Sequence, residues 1–104
     1  MSEKDKIDIL ASRVKKYLSW KRKNRDCSFF DYLCYVIENI FQIYNEALSY
    51  GDVESILIDL AEKINDRYLR NVRRQQIVRA LLYLYLTGKI RKIKLKNVKL
   101  YVKL

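Results

Sequence analysis

The chain has 104 residues, half of them hydrophobic and a third charged, with two glycines and no proline. That is the make-up of one folded domain with short connections. Its formal net charge is +10 and it has no histidine, so the side chain best suited to proton transfer near neutral pH is missing.

The same composition excludes further classes. No GxxxxGK[ST] or GxGxxG stretch occurs, which leaves no phosphate-cradling loop of those kinds. Cys27 and Cys34 without histidine cannot complete a zinc site. Residues 80–86 form the longest apolar run, far short of the roughly 20 residues of a membrane span. The charged N-terminus lacks the apolar stretch of a secretory signal. The expectation is a cytoplasmic protein with reduced cysteines, no enzyme activity, no cofactor and no membrane partner.

Charge is segregated along the chain. Residues 1–25 carry nine basic and three acidic side chains, residues 26–66 nine acidic and one basic, and residues 67–104 twelve basic and none acidic. A block this basic implies an anionic partner, most often nucleic acid.

In chain order, Ile7, Leu10, Ala11, Val14 and Leu18 recur at spacings of three and four, which predicts a helix over 5–20. KRKNRD, residues 21–26, reads as an exposed basic connector. Ser28 and Asp31 have the spacing of a capping box, and a helix from about Phe29 to Ser49 follows. Phe30, Leu33, Ile37, Ile40 and Tyr44 form its main stripe. Phe29, Tyr32, Val36 and Phe41 widen it past half the circumference, so the helix is either central or part of a dimer interface. Gly51 suits its C-terminal cap. Asp52 then caps a helix over 53–65, buried through Val53, Ile56, Leu57, Leu60, Ala61 and Ile64, with Glu54, Asp59 and Glu62 outside. NDRYLRN, residues 65–71, reads as a turn.

Asn71 is placed to cap a helix over 72–87, closed by Gly88. Its apolar arc holds Ile77, Val78, Leu81, Leu82, Leu84 and Tyr85; Gln75, Gln76, Arg79 and Tyr83 lie opposite. Arg pairs with guanine and Gln with adenine through two hydrogen bonds each. From residue 89 the period changes to two. With a turn at Lys96-Asn97, Leu95 faces Val98 and Ile93 faces Leu100 on one side of a hairpin. Lys94 faces Lys99 and Lys92 faces Tyr101 on the other. Like charges opposite each other are destabilising, so an anion on the lysine side is expected, with the apolar side packed inward.

A helix, a turn, a helix with I77-x3-L81-x2-L84-x3-G88-x-I90 and a basic hairpin resemble the winged helix-turn-helix family of DNA-binding domains, over residues 29–104. The fold class expected is mainly α with a C-terminal β-hairpin and an extra N-terminal helix in one domain. No short first strand for the family's three-stranded sheet is visible. The Ile-, Lys- and Tyr-rich composition also resembles small archaeal and archaeal-virus regulators. The resemblance implies a transcriptional regulator that binds double-stranded DNA, as a homodimer on a palindromic site. Helix 72–87 would enter the major groove and hairpin 89–104 would lie on the backbone or minor groove. The residues so implicated are Arg70, Arg73, Arg74, Gln75, Gln76, Arg79 and Tyr83, with Arg91, Lys92, Lys94, Lys96 and Lys99 in the wing. Two other readings stay open. One is a protein-interaction module or complex subunit, with a basic partner on the acidic helix 52–66. The other is a single-strand or RNA binder that stacks bases on tyrosines.

Overall fold

The computed structural model describes residues 2–23 and 28–104. In order these form α1 (Glu3–Lys23), α2 (Phe29–Tyr44), β1 (Leu48–Ser49), α3 (Tyr50–Ile64), α4 (Arg67–Arg70), α5 (Arg74–Leu86), β2 (Ile90–Leu95) and β3 (Val98–Lys103). The chain is mainly helical with a small antiparallel sheet. Helix α1 runs through Lys21–Lys23, which were expected in the connector; Lys and Arg are good helix formers, so charge alone does not end a helix. Asn24, Arg25, Asp26 and Cys27 lie outside the described residues.

Helix α2 is the central element. Tyr32, Leu33, Cys34, Val36, Ile37, Ile40, Phe41 and Tyr44 are all buried, and α1, α3 and α5 pack around it. Its wide apolar circumference is therefore used within one chain, and the argument from it to a dimer falls away. Both ends of its buried Asn39 are engaged: Nδ2 donates to the Tyr35 carbonyl at 2.8 Å and Oδ1 accepts from Arg13 Nη1 at 3.1 Å. Arg13 thereby ties α1 to α2 through a charge-assisted bond.

Local chemistry explains most helix ends. Ser28 and Asp31 make the expected capping box, each side chain accepting the other's backbone N–H at 3.2 Å. Helix α2 stops at Tyr44 rather than Ser49, because Asn45 takes a left-handed conformation with φ of 48°, which asparagine tolerates. Ser49, not Asp52, is the N-cap of α3, with Asp52 as the reciprocal partner. Gly51 therefore lies inside the first turn of α3 and caps nothing. Asn65 (φ 54°) ends α3: Asp66 N–H donates to the Ala61 carbonyl at 3.0 Å and Asn65 N–H to that of Glu62 at 3.3 Å, the pair of bonds of a Schellman motif.

The segment expected as a turn contains α4, capped by Asp66, whose Oδ1 accepts from Tyr68 N–H at 3.0 Å. The other carboxylate oxygen accepts from the buried Tyr32 hydroxyl. Burial first, and then this carboxylate, push the Tyr32 hydroxyl pKa far above its ordinary value. Helix α5 starts at Arg74, and Asn71 does not cap it. Gln76 folds back so that its Oε1 accepts from Arg73 N–H at 2.8 Å.

The sheet has order β1-β3-β2, all antiparallel. The two-residue β1 is the short first strand that was not visible in the sequence. It pairs Leu48 with Tyr101 and Ser49 with Leu100. The hairpin has the expected register: Leu95 opposite Val98, Lys94 opposite Lys99, Ile93 opposite Leu100 and Lys92 opposite Tyr101. Lys96 (φ 49°) and Asn97 (φ 67°) form its turn without glycine.

The orientation of the hairpin is opposite to expectation. Ile90 is buried and Tyr101 packs on the core. Strand alternation puts Lys92, Lys94 and Lys99 on this inward side. Ile93, Leu95 and Val98 face outward and are exposed, Leu95 by 60%. Period two fixes which residues share a face but not which face meets the core. Here the pair closest to the body, Ile90 and Tyr101, decides it.

Candidate nucleic-acid interface

Helix α5 is held by Ile77, Ala80, Leu81 and Leu84, all buried. That stripe is narrower than the arc read from the sequence: Val78, Leu82 and Tyr85 are exposed. At its far end the chain turns through Gly88 (φ 77°). Lys89 N–H donates to the Leu84 carbonyl at 2.9 Å and Gly88 N–H to that of Tyr85 at 3.2 Å. These bonds form a second Schellman motif and aim Ile90 into the core, so the wing leaves α5 at a defined angle.

Around the first turns of α5, Arg70, Arg73, Arg74, Gln75 and Arg79 are all exposed. The Arg74 guanidinium lies over the Tyr50 ring at 5.3 Å, and Tyr50 in turn donates to Glu54 Oε2 at 2.9 Å. Lys92 Nζ sits over the Tyr85 ring at 4.5 Å, so the lysine face of the wing meets the flank of α5. Such a cation–aromatic contact positions an ammonium without neutralising it. Lys94 and Lys99 continue along that face and Lys96 occupies the turn. The result is a cationic surface shared by α5 and the wing. No acidic residue lies in the sequence from 67 onward, and Glu54, bonded to Tyr50, borders the surface at Arg74.

Three candidates fall outside this arrangement. Gln76 is half-buried and its carboxamide oxygen is engaged by the Arg73 N–H. Tyr83 packs edge-on against Phe30 of α2, with centroids 5.5 Å apart, on the opposite flank from Tyr85. Arg91 alternates onto the outward face of the sheet with Ile93. Tyr50 belongs to the surface but was not singled out in the sequence, and Tyr85, a base-stacking candidate there, instead carries Lys92. A tyrosine supporting a cation from another element is a tertiary contact that no spacing announces.

Comparison with protein-family models, with curated proteins and with solved structures finds no match. The site therefore stands on its own chemistry.

The acidic residues lie largely elsewhere. Asp59 and Glu62 of α3 line a groove of about 470 Å³ with Glu3, Lys4, Ile7, Tyr44 and Lys63. Lys63 pairs with Asp8 of α1 at 2.7 Å. Asp59 and Glu62 thus border α1, not the cationic surface of α5 and the wing. Cys34 is buried, and burial, followed by Asp31 and Glu38, raises its thiol to about 11, which suppresses thiolate chemistry. Among the described residues no three His, Cys, Asp or Glu side chains group to hold a metal, and no helix is long and apolar enough to cross a membrane.

Proposed function

We propose that the protein binds double-stranded DNA, with α5 in the major groove and the β2–β3 wing on the adjacent backbone, and acts as a sequence-specific regulator of transcription. The role is binding rather than catalysis. The observation that carries this reading is the inward lysine face of the wing, held against α5 through Lys92 and Tyr85. Lys94 and Lys99, like charges directly opposite each other, are costly in isolation. Placed beside a helix with exposed Arg74, Gln75 and Arg79, they suit a phosphate backbone flanking a groove. The winged helix-turn-helix assignment is supported by the element order α2-β1-α3-α5-β2-β3 and by β1 as a third strand.

Gln75 and Arg79 are the side chains proposed to read base edges. Arg70, Arg73, Arg74, Lys92, Lys94, Lys96 and Lys99 supply phosphate contacts, which position the protein without selecting sequence. A labelled duplex titrated at low salt, followed by fluorescence anisotropy, tests the reading, with single-stranded DNA and RNA of the same sequence as competitors. Binding to duplex in preference to both is expected. Absence of duplex binding, or tighter binding to either single strand, contradicts it. A second reading, a protein-interaction module, rests on Glu3, Asp59 and Glu62, which line the groove between α1 and α3 beside Lys4 and Lys63; they suit a basic partner and leave the cationic surface free.

A further inference from the structure

The face that α5 turns to solvent is more apolar than the charge of this segment suggests. At about 100° per residue, Gln75, Arg79, Leu82 and Leu86 fall opposite the buried Ile77, Ala80, Leu81 and Leu84, and Val78 lies next to Leu82 at the edge of that face. Val78 is 47% exposed, Leu82 46% and Leu86 72%. An apolar stripe left in water marks an interaction site when it is contiguous and rimmed by polar groups, as this one is. Its rim identifies the occupant. Arg74 and Arg79 flank the stripe on α5, and Lys92 reaches the Tyr85 ring beside it at 4.5 Å. The partner must therefore combine an anionic rim with small apolar groups between. The major groove of DNA does so, with phosphates along its edges and the C5-methyl group of each thymine on its floor. An acidic amphipathic peptide shares the rim and the apolar centre. It gives no reason for Gln75 to stand within the stripe and Arg79 at its edge, whereas base edges beside a thymine methyl do.

Resting on the DNA-binding reading above, we infer that Val78 and Leu82 contact thymine methyl groups, so that the protein selects thymine-containing sites. Gln75 and Arg79 take the neighbouring adenine or guanine edges. The contact is apolar and shape-dependent, which separates its test from that of the phosphate contacts.

The intact chain is used to enrich binding sites from a randomised duplex library. The most enriched duplex is then compared by anisotropy with the same duplex carrying uracil in place of every thymine, a change that deletes only methyl groups. Enriched sites should contain thymine, and each contacted methyl lost should weaken binding about fourfold, the ratio expected for burying one such group. Leu82→Ala, at a half-exposed position, should fold as the parent by circular dichroism and still bind duplex. Its preference for thymine over uracil should shrink toward one; Val78→Ala serves as the second variant. Enriched sites without thymine, or equal affinity for the thymine and uracil duplexes, overturn the inference and leave DNA binding standing. Absence of binding to any duplex overturns the DNA reading itself. Self-association of the free chain that Leu82→Ala abolishes assigns the stripe to protein contact and also overturns the inference.

Discussion

Gly88 sets the geometry between α5 and the wing, and its replacement has a calculable cost. Its φ is +77°, and a Cβ built on it meets nothing within 4 Å. Gly88→Ala therefore introduces backbone strain without a clash. An L-residue in the left-handed region costs roughly 1–2 kcal/mol. Alanine also removes freedom from the unfolded chain, which offsets about 0.4–1 kcal/mol. The net expectation is about 1 kcal/mol of destabilisation. For a urea slope of roughly 2 kcal/mol/M, the unfolding midpoint falls by about 0.5 M. Asparagine already holds left-handed positions at Asn45, Asn65 and Asn97, so Gly88→Asn should fall between glycine and alanine. Wing and core should unfold together, because Ile90 is buried two residues on. A midpoint for Gly88→Ala equal to that of the parent, or Gly88→Asn less stable than Gly88→Ala, refutes the reasoning.

Other substitutions separate fold from function. Gln76→Ala should lose the cap on Arg73 N–H, about 0.5–1 kcal/mol of stability, and leave sequence preference unchanged. Gln75→Ala and Arg79→Ala should leave stability unchanged and relax preference by about 1–3 kcal/mol at one base position if the contact is bidentate; competition with single-base variants of the site reads both. Tyr32→Phe removes the hydroxyl bonded to the half-exposed Asp66 carboxylate. A loss of about 1.5 kcal/mol, the lower end for a bond to a charged group, should lower the melting midpoint by roughly 6–10 °C. An unchanged midpoint would show that water replaces the hydroxyl. Alkaline stability follows from buried acids, Cys34 and Tyr44 among them. Cys34 is raised from 9.0 to about 11, and Tyr44 from 10.0 to about 12 by burial and then Glu3, Asp59 and Glu46. Both folded values exceed the unfolded ones, so this stabilisation is intact below pH 9 and is lost as pH rises through 11 and 12. Urea midpoints across that range should fall, and Tyr44→Phe should shrink the part between pH 10 and 12 without abolishing it, since Tyr32 and Tyr50 are also raised.

Much of this fold is legible because its signals are local. The Ser28–Asp31 box, the stripe of α1 and the hairpin register with its Lys96-Asn97 turn all follow from residues a few positions apart. The errors share a cause in tertiary context. Strand β1 is two residues long and exists only because β3 returns to pair with it. Gly51 was read as a cap because glycine usually ends helices, while Asn45 and Asn65 took the left-handed positions and Ser49 the cap. The polarity of the wing depends on Ile90 and Tyr101 meeting the core, which alternation alone cannot decide. The same limit applies to the site. The cationic residues were visible, but not the pairing of Arg74 and Lys92 with tyrosines of other elements, the diversion of Gln76 into a cap, or the exposure of Val78 and Leu82.

The central claim is that the wing and α5 form one cationic surface for duplex DNA. It is tested most directly by the salt dependence of duplex affinity for the intact chain and for a variant with Lys92, Lys94, Lys96 and Lys99 all changed to Gln. All four side chains are exposed, so the variant keeps its core; deleting the wing would take Ile90 and Tyr101 with it. If each lysine meets a phosphate, the slope of log K against log salt should flatten by about 3–4, at roughly 0.9 per contact. Parallel slopes for the two proteins, or no duplex binding by the intact chain at low salt, would contradict the account.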